Sequence, residues 1–375
     1  MAGIRDIIWE MGTPMPYPTK GQAQGVIGDS VVAAAGVGHL GWDRSDRRGR
    51  CNGTRLLDTK TMQWESLPDA PVGVRWPEGI AVGQDLYMVT GWITSEPPDT
   101  ATSRMFRLSR DDGGGWRWDE LPSMRTGRFI PGVAASGTKI VVIGGQASFA
   151  TDPINADQPG PYVNAVESFQ TAHPERGWVD LPPIPGPPRE AVAIAAIDDR
   201  IYVFGGAYVK YEQMVGDNFH DERRGCGDAY VLDLGAVRWK KLPDVPFPAQ
   251  GWKAVAYDGR YIVITGGVRN YKVEHPYEYA DSVPDRLAPN FDVLVFDTVN
   301  KTYHTLPTQI PPYVTQEPEL RERLKSSEGW DFSKGVYRLG SEVGLIGNKI
   351  YMCGGEVISN CNVTDEVVVG TIIEA

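Results

Sequence analysis

The stretch that decides the fold runs from residue 201 to residue 246. It begins with IYVFGG, residues 201–206, and continues after a loop with DAYVLDLGAVRWKKLPDVP, residues 228–246. A short run of β-branched and aromatic residues that ends in a glycine pair is typical of a buried strand, and the glycines allow another backbone to approach closely. The second segment predicts two more strands joined by a turn, and its Leu-Pro pair ends the pairing.

The same pattern recurs along the whole chain. Strands of the first kind end at Gly36, Gly91, Gly145, Gly206, Gly267 and Gly355. Aromatic residues followed by a Leu-Pro pair come after five of them: Trp64 with Leu67-Pro68, Trp118 with Leu121-Pro122, Trp178 with Leu181-Pro182, Trp239 with Leu242-Pro243 and Tyr303 with Leu306-Pro307. Repeats of about 50 residues predict the blades of a β-propeller, because each small sheet can bury its faces only against neighbouring sheets.

The sixth aromatic segment lies at the start of the chain, where Trp9 leads into Pro14. We therefore predict an all-β, six-bladed β-propeller that is closed by the N-terminal strand, residues 6–11, pairing into the last blade. Such closure removes the open sheet edges. The predicted blades form a single domain over residues 1–375 and comprise residues 21–68, 78–122, 130–182, 190–243, 252–307 and 341–375 with 6–11.

These repeats resemble the kelch-repeat family over essentially the whole chain. The resemblance is most specific in residues 201–246, whereas blade 1 departs from it with Ala35-Gly36 and blade 2 with Thr90-Gly91. The chain also resembles the stand-alone six-bladed bacterial kelch propellers that mutarotate sialic acid. No catalytic motif of that family can be placed here residue by residue, so the resemblance implies the fold and makes a sugar ligand plausible.

Composition and charge narrow the classes of partner. The formal net charge is −11, from 37 Lys and Arg against 48 Asp and Glu, which disfavours binding to nucleic acid. No apolar run approaches the roughly 20 residues that cross a bilayer, and MAGIRDIIW, residues 1–9, does not read as a secretory signal, so we expect a cytoplasmic protein without a membrane partner. We accordingly predict no disulfide among the four cysteines, Cys51, Cys226, Cys353 and Cys361.

Long loops are expected on one face of the propeller. They join the second strand of each blade to the third and comprise residues 37–50, 92–103, 146–163, 207–226, 268–290 and 356–362, together with the connection 308–341, in which residues 316–325 predict a short helix. These loops are too aromatic for solvated linkers. The aromatic candidates for ligand binding are Trp42, Trp92, Tyr208 and Tyr271.

Charged residues recur where the innermost strands begin. The basic candidates for ligand binding are Arg75, Arg128, Arg189 and Arg338. They either support the blades or form a ring of guanidinium groups that would bind a carboxylate or a phosphate. The acidic candidates for catalysis are Glu78, Glu190 and Glu342. They either form solvated ion pairs or act as a general base in a partly desolvated pocket.

Two functions remain open from the sequence. The first is a carbohydrate-binding or carbohydrate-active propeller, of mutarotase or epimerase type toward an acidic sugar, with a small-molecule or oligosaccharide ligand at the loop-rich mouth of the channel. The second is a propeller that binds a protein partner without catalysis. We expect no cofactor and no metal, because Glu212, Asp217 and His220 share one loop but lack the spacing of the iron-binding triad in kelch-type plant specifier proteins.

Overall fold

The computed structural model describes residues 3–38, 52–93, 101–147, 162–215, 218–271, 286–313, 340–358 and 362–375. In these ranges the chain forms β-strands and one turn of 3-10 helix, Pro174–Arg176, and no helix there has the length and hydropathy to cross a bilayer. The predicted helix at 316–325 lies outside the described residues, as do Trp42, Arg338, Cys51 and Cys361.

Six antiparallel sheets form the blades, each with four main strands in radial order from the channel outward. The N-terminal strand β1 (Ile4–Met11) belongs to blade 6. Blades 1 to 3 consist of β2 (Ala23–Ile27), β3 (Ser30–Ala34), β4 (Thr54–Asp58) and β5 (Gln63–Leu67); β6 (Glu78–Val82), β7 (Asp85–Val89), β8 (Met105–Arg110) and β9 (Trp116–Leu121); and β10 (Gly132–Ser136), β11 (Lys139–Ile143), β12 (Val166–Gln170) and β13 (Trp178–Leu181).

Blades 4 to 6 follow the same plan, with extra strands in their loops. Blade 4 has β14 (Ala193–Ile197), β15 (Arg200–Phe204), β18 (Ala229–Asp233) and β19 (Arg238–Leu242), and its loop forms the hairpin β16 (Ala207–Val215) and β17 (Asn218–Gly225). Blade 5 has β20 (Ala249–Tyr257), β21 (Tyr261–Tyr271), β23 (Leu294–Asp297) and β24 (Thr302–Thr305), with β22 (Arg286–Pro289) beside β21. Blade 6 has β25 (Glu342–Ile346), β26 (Lys349–Cys353), β29 (Val367–Glu374) and β1, and its loop holds β27 (Glu356–Ile358) and β28 (Asn362–Val363).

The two ends of the chain meet in blade 6. Strand β1 pairs antiparallel with β29, so that Ile7 lies opposite Ile372, and both side chains are buried. Asp6 adds a link to blade 5, because the backbone N–H and the hydroxyl of Thr308 both donate to its carboxylate, at 3.1 and 2.8 Å. The outermost strand of blade 6 is therefore the N-terminal segment, as the sequence predicts.

The repeated aromatic residues join neighbouring blades through hydrogen bonds as well as packing. Three indole Nε1 groups donate to the proline carbonyl of the preceding blade: Trp118 to Pro68 at 3.0 Å, Trp178 to Pro122 at 2.9 Å and Trp239 to Pro182 at 2.9 Å. In blade 5 the Tyr303 hydroxyl donates to the Pro243 carbonyl at 2.9 Å. The recurrence of the aromatic residue with Leu-Pro thus encodes donors and acceptors that repeat from blade to blade.

The six innermost strands close a ring around the channel, in the order β2, β6, β10, β14, β20 and β25. Glycines let them approach one another: a Cβ at Gly79 would lie 2.4 Å from the backbone nitrogen of Gln24, and one at Gly132 would lie 2.5 Å from the Val192 side chain. We call the face with the long loops the loop side. The opposite face, where turns join first and second strands, is the turn side.

Candidate functional site

Arg128 and Arg189 sit where predicted, before the innermost strands of blades 3 and 4, and both guanidinium groups are buried. Arg128 contacts Glu167 and donates to the Ala165 carbonyl at 2.8 Å. Arg189 makes a bidentate pair with Asp228, in which Nη2 donates to Oδ2 at 2.9 Å. Each arginine therefore ties the start of its blade to the third strand or the residue before it, which supports the architectural interpretation.

In blade 1 the buried arginine lies on the third strand, at the position where blade 3 has its acid. Arg55 on β4 lies opposite Ala33. The equivalent residue of blade 3 is Glu167, which lies opposite Val142. Arg55 is buried, lies 4.4 Å from the Tyr17 ring centroid and donates to Gln22 Oε1 at 2.6 Å. The guanidinium group of blade 1 therefore lies in the same part of the blade, although it comes from the third strand and not from the residues before the first.

Two of the remaining predicted ligand-binding residues, Arg75 and Trp92, contact each other. Arg75 lies 5.1 Å from the Trp92 ring centroid, and the two residues also pair through their backbones. Tyr208 is half-buried at the start of the blade 4 hairpin, and Tyr271 ends β21. The backbones of these residues therefore lie on the loop side.

Three charged residues share one register position on the channel wall. The equivalent positions in the six innermost strands are Ala23, Glu78, Gly132, Ala193, Lys253 and Glu342, each opposite the residue before the glycine pair or its counterpart. Blades 1, 3 and 4 have alanine or glycine there. The small residues leave room in the channel for the three long charged side chains of blades 2, 5 and 6.

These side chains meet across the channel and form what we call the triad. Lys253 Nζ lies 2.9 and 3.2 Å from the two carboxylate oxygens of Glu78 and 2.8 Å from Glu342 Oε1. Blades 2 and 5 are on opposite sides of the ring, so the Lys253–Glu78 pair spans it. The side chains of Lys253, Glu78 and Glu342 are only 19%, 12% and 9% exposed, so the charges interact in a largely desolvated environment.

Burial shifts the protonation of the two acids. It raises the pKa of Glu342 from its ordinary value of 4.5 to about 8, with the charge of Glu78 adding to the shift and that of Lys253 opposing it. Burial likewise raises the pKa of Glu78, again against the charge of Lys253. Burial lowers the pKa of Lys253, but the charges of the two carboxylates raise it by a larger amount, so the net shift is upward. At neutral pH the triad therefore holds a charged lysine beside a protonated Glu342.

The triad divides the channel into two cavities. The loop-side cavity has a volume of about 100 Å³ and is walled by Trp76, Ile130, Glu190, Gln250 and Trp252 above the triad. The Trp76 ring packs against Gly21 and Gly340, before the innermost strands of blades 1 and 6: a Cβ at Gly21 would lie 2.3 Å from the ring and one at Gly340 3.0 Å. The turn-side cavity, of about 330 Å³, continues from the triad to the opposite face. All three predicted acids therefore line the loop-side cavity.

Sequence reasoning missed Lys253, Trp76 and Trp252. A signal for Lys253 exists in the repeat, since Glu78 and Glu342 occur at a constant distance before the second glycine of their pairs. In blade 5 the turn Asp258–Arg260 is one residue longer than the matching turns. Lys253 therefore lies one residue further from its glycine pair than Glu78 and Glu342 lie from theirs. Trp76 directly follows the predicted Arg75.

The arrangement is suited to proton transfer. A carboxyl that holds a proton near neutral pH, next to a second carboxyl and a fixed ammonium, can donate and accept protons in one pocket. Among the described residues no cluster of three His, Cys, Asp or Glu side chains could hold a metal ion. The side chains of Glu212, Asp217 and His220, which the sequence brings into one loop, lie outside the described residues.

Comparison with known proteins agrees with the blade pattern. The profile described as the KLHDC2/KLHL20/DRC7 Kelch-repeats domain matches residues 78–322, more than half of the chain. Kelch-like protein terF of Aspergillus terreus is 23% identical over 296 residues, which cover 67% of this chain and 62% of that protein. Human Kelch domain-containing protein 3 is 24% identical over 261 residues, 64% of this chain and 58% of that protein.

A shorter similarity connects the chain to an enzyme. N-acetylneuraminate epimerase of Yersinia enterocolitica is 30% identical over 95 residues, which cover 24% of this chain and 22% of that protein. The chain spans less than two thirds of the length of each of these relatives. The similarities therefore concern the propeller repeats and leave the ligand to be argued from the site.

Proposed function

Because this chain belongs to the kelch-repeat family of β-propellers, we propose that it binds a carbohydrate on the loop side of its channel and interconverts the anomers of that sugar. The observation that carries the proposal is the triad of Glu78, Lys253 and Glu342 beneath the loop-side cavity. The partial similarity to N-acetylneuraminate epimerase supports the same class of ligand.

Anomer exchange needs one acid and one base on the same sugar. An ionised Glu78 would accept the proton of the anomeric hydroxyl, while a protonated Glu342 would donate its proton to the ring oxygen as the bond between that oxygen and the anomeric carbon breaks. Rotation of the carbonyl group formed, followed by the reverse transfers, closes the ring with the other configuration. Lys253 holds both carboxyls and stabilises whichever is charged.

The cavity is matched to part of a sugar ring. Its volume of about 100 Å³ takes the reacting end, and the rest of the ligand would extend toward the loops. Trp76 offers an aromatic face beside the acids, a surface that suits the C–H face of a sugar. Arg128 and Arg189 form ion pairs with Glu167 and Asp228, so their charges are already balanced within the blades. We therefore propose neutral sugars as ligands as well as the acidic sugar that the sequence led us to expect.

The experiment measures anomer interconversion by NMR after a pure anomer is dissolved with the protein. The panel contains N-acetylneuraminate, glucose and N-acetylmannosamine, and the variants are Glu342→Gln and the control Glu120→Gln, whose carboxylate pairs with Arg104 on the surface. We expect acceleration of at least one sugar, a loss of about 100-fold or more in Glu342→Gln and no loss in the control. Absence of acceleration and of saturable binding for every sugar would overturn the proposal.

A protein ligand is the second candidate. The hairpin of β16 and β17 in blade 4, together with β22 beside β21 in blade 5, adds β-structure to the loop side of these two blades and gives a surface on which a partner could pack. Replacing residues 209–223 by a short turn separates the candidates. If the propeller binds a protein, the variant should no longer cross-link to that protein. If it binds a sugar, the variant should still interconvert the anomers of the sugars tested above.

A further inference from the structure

The turn-side cavity has a composition that the proposed function does not use. Its wall consists of the apolar parts of all six innermost strands, among them Ile80, Ile194, Val343 and Leu345, and it ends at the triad. The volume of about 330 Å³ falls within the range of small-molecule pockets, and the lining exposes polar groups as well as apolar side chains. Ala135 and Ala196 connect this cavity to an open vestibule at the turns.

The chemistry at the closed end selects the head group of a ligand. The three N–H donors of Lys253 face three carboxylate oxygens, two on Glu78 and one on Glu342. Lys253 donates to both oxygens of Glu78 and lies against Glu342, which leaves it at most one donor for a ligand. Each carboxylate oxygen has two lone pairs, so the acids can accept further hydrogen bonds, and the end of the cavity favours a group that donates them.

Charge favours the same head group. Glu78, Lys253 and Glu342 are the charged residues on this cavity wall, and with the proton held on Glu342 their formal sum is zero, so one cation that displaces this proton leaves the charge balanced. Asp198 and Asp199 line the vestibule, and the whole chain carries −11. A negative potential along the path from the turn side to the triad attracts cations and repels carboxylates.

From these observations we infer that the turn-side cavity is a second ligand site, which binds an organic amine with an apolar body and places its ammonium group against Glu78 and Glu342. The body lies among the aliphatic side chains of the innermost strands, and its loss of contact with water contributes to the binding free energy. The ammonium takes the place of the proton on Glu342 and donates hydrogen bonds to the two carboxylates, so the cavity end stays neutral.

The test uses 4-phenylbutylamine, 4-phenylbutan-1-ol and 4-phenylbutyrate, which share a body and differ in the head group. Binding to the full chain is measured by calorimetry. We expect the amine to bind most tightly, the alcohol more weakly and the carboxylate least. Glu342→Gln should weaken the amine by about tenfold or more, as for hydrogen bonds to a charged group, and should affect the alcohol less.

Two variants locate the site. Ala196→Phe and Leu345→Phe each add volume to the turn-side cavity without altering the triad, and a melting curve shows which of them folds. Either folded variant should abolish amine binding, whereas Trp76→Ala, which alters the loop-side cavity, should leave it unchanged. Equal binding of amine and carboxylate, amine binding that survives both filled variants, or no amine binding at all would overturn the inference. None of these outcomes depends on sugar activity.

Discussion

Lys253 Nζ lies 2.9 Å from Glu78 Oε2, and this contact joins the innermost strands of blades 5 and 2 across the channel. The lysine is the one cation between two buried carboxylates, so the triad depends on it. Replacement by methionine keeps much of the apolar stem but leaves two acids without a partner. We expect Lys253→Met to lower the free energy of unfolding at neutral pH by about 3–5 kcal/mol, measured by urea denaturation.

A control shows whether the loss comes from charge. The triple variant Glu78→Gln, Lys253→Met, Glu342→Gln removes all three charges with little change in volume, and it should recover most of the lost stability because no unpaired ion remains. A triple variant as unstable as Lys253→Met would mean that packing, and not charge, accounts for the effect.

The raised pKa of Glu342 makes stability depend on pH in a defined direction. The folded state keeps the proton up to about pH 8, whereas the unfolded chain releases it near 4.5, so folding is favoured below 4.5 and this contribution disappears as the pH rises to 8. We expect the difference in melting temperature between wild type and Glu342→Gln to shift against the wild type over that window. A difference that stays constant from pH 4.5 to 8 would contradict the shift.

The buried arginine of blade 3 should matter far more than its exposed neighbour. Arg128 and Glu167 are 0% and 1% exposed, whereas Arg125 and its partner Asp180 are each 60% exposed. We expect Arg128→Met to cost about 3–5 kcal/mol of unfolding free energy and Arg125→Met about 0–1 kcal/mol. If Arg128→Met proved as mild as its neighbour, the architectural role of the arginine would be wrong.

Closure by the N-terminal strand can be tested with two adjacent isoleucines on β1. Ile7 is fully buried against blade 6, and Ile8 is 61% exposed. We expect Ile7→Ala to destabilise the protein by roughly 2–5 kcal/mol, because it leaves a cavity, and Ile8→Ala to change stability by less than about 0.5 kcal/mol. Similar small effects at both positions would show that β1 does not close the propeller in solution.

The repeat predicts the fold because each signal has a direct physical counterpart. The glycine pairs mark strands that approach a neighbouring backbone, and Trp118, Trp178 and Trp239 donate to prolines one repeat earlier. The roles of Arg128 and Arg189 could not be decided in this way. Their acidic partners, Glu167 and Asp228, lie 39 residues further along the chain, and only the folded blade brings them together.

The site was predictable in part for a related reason. Glu78 and Glu342 stand out as acids at the start of innermost strands, and the structure places both in the channel. The longer turn of blade 5 changes the number of residues between Lys253 and its glycine pair, so the repeat does not mark this lysine. Trp76 lines the cavity because Gly21 leaves space for its ring. Contacts across the channel join blades that are distant in sequence, so no local pattern reveals them.

The central claim is that the triad stores a proton at neutral pH, and the protonation of Glu342 tests it most directly. The measurement is a ¹³C NMR titration of protein labelled at the glutamate side-chain carboxyls, with Glu342→Gln used to assign the signal. We expect one carboxyl signal that is lost in the variant and titrates near pH 8 in the wild type. A Glu342 carboxyl that titrates near the ordinary 4.5 would contradict the account.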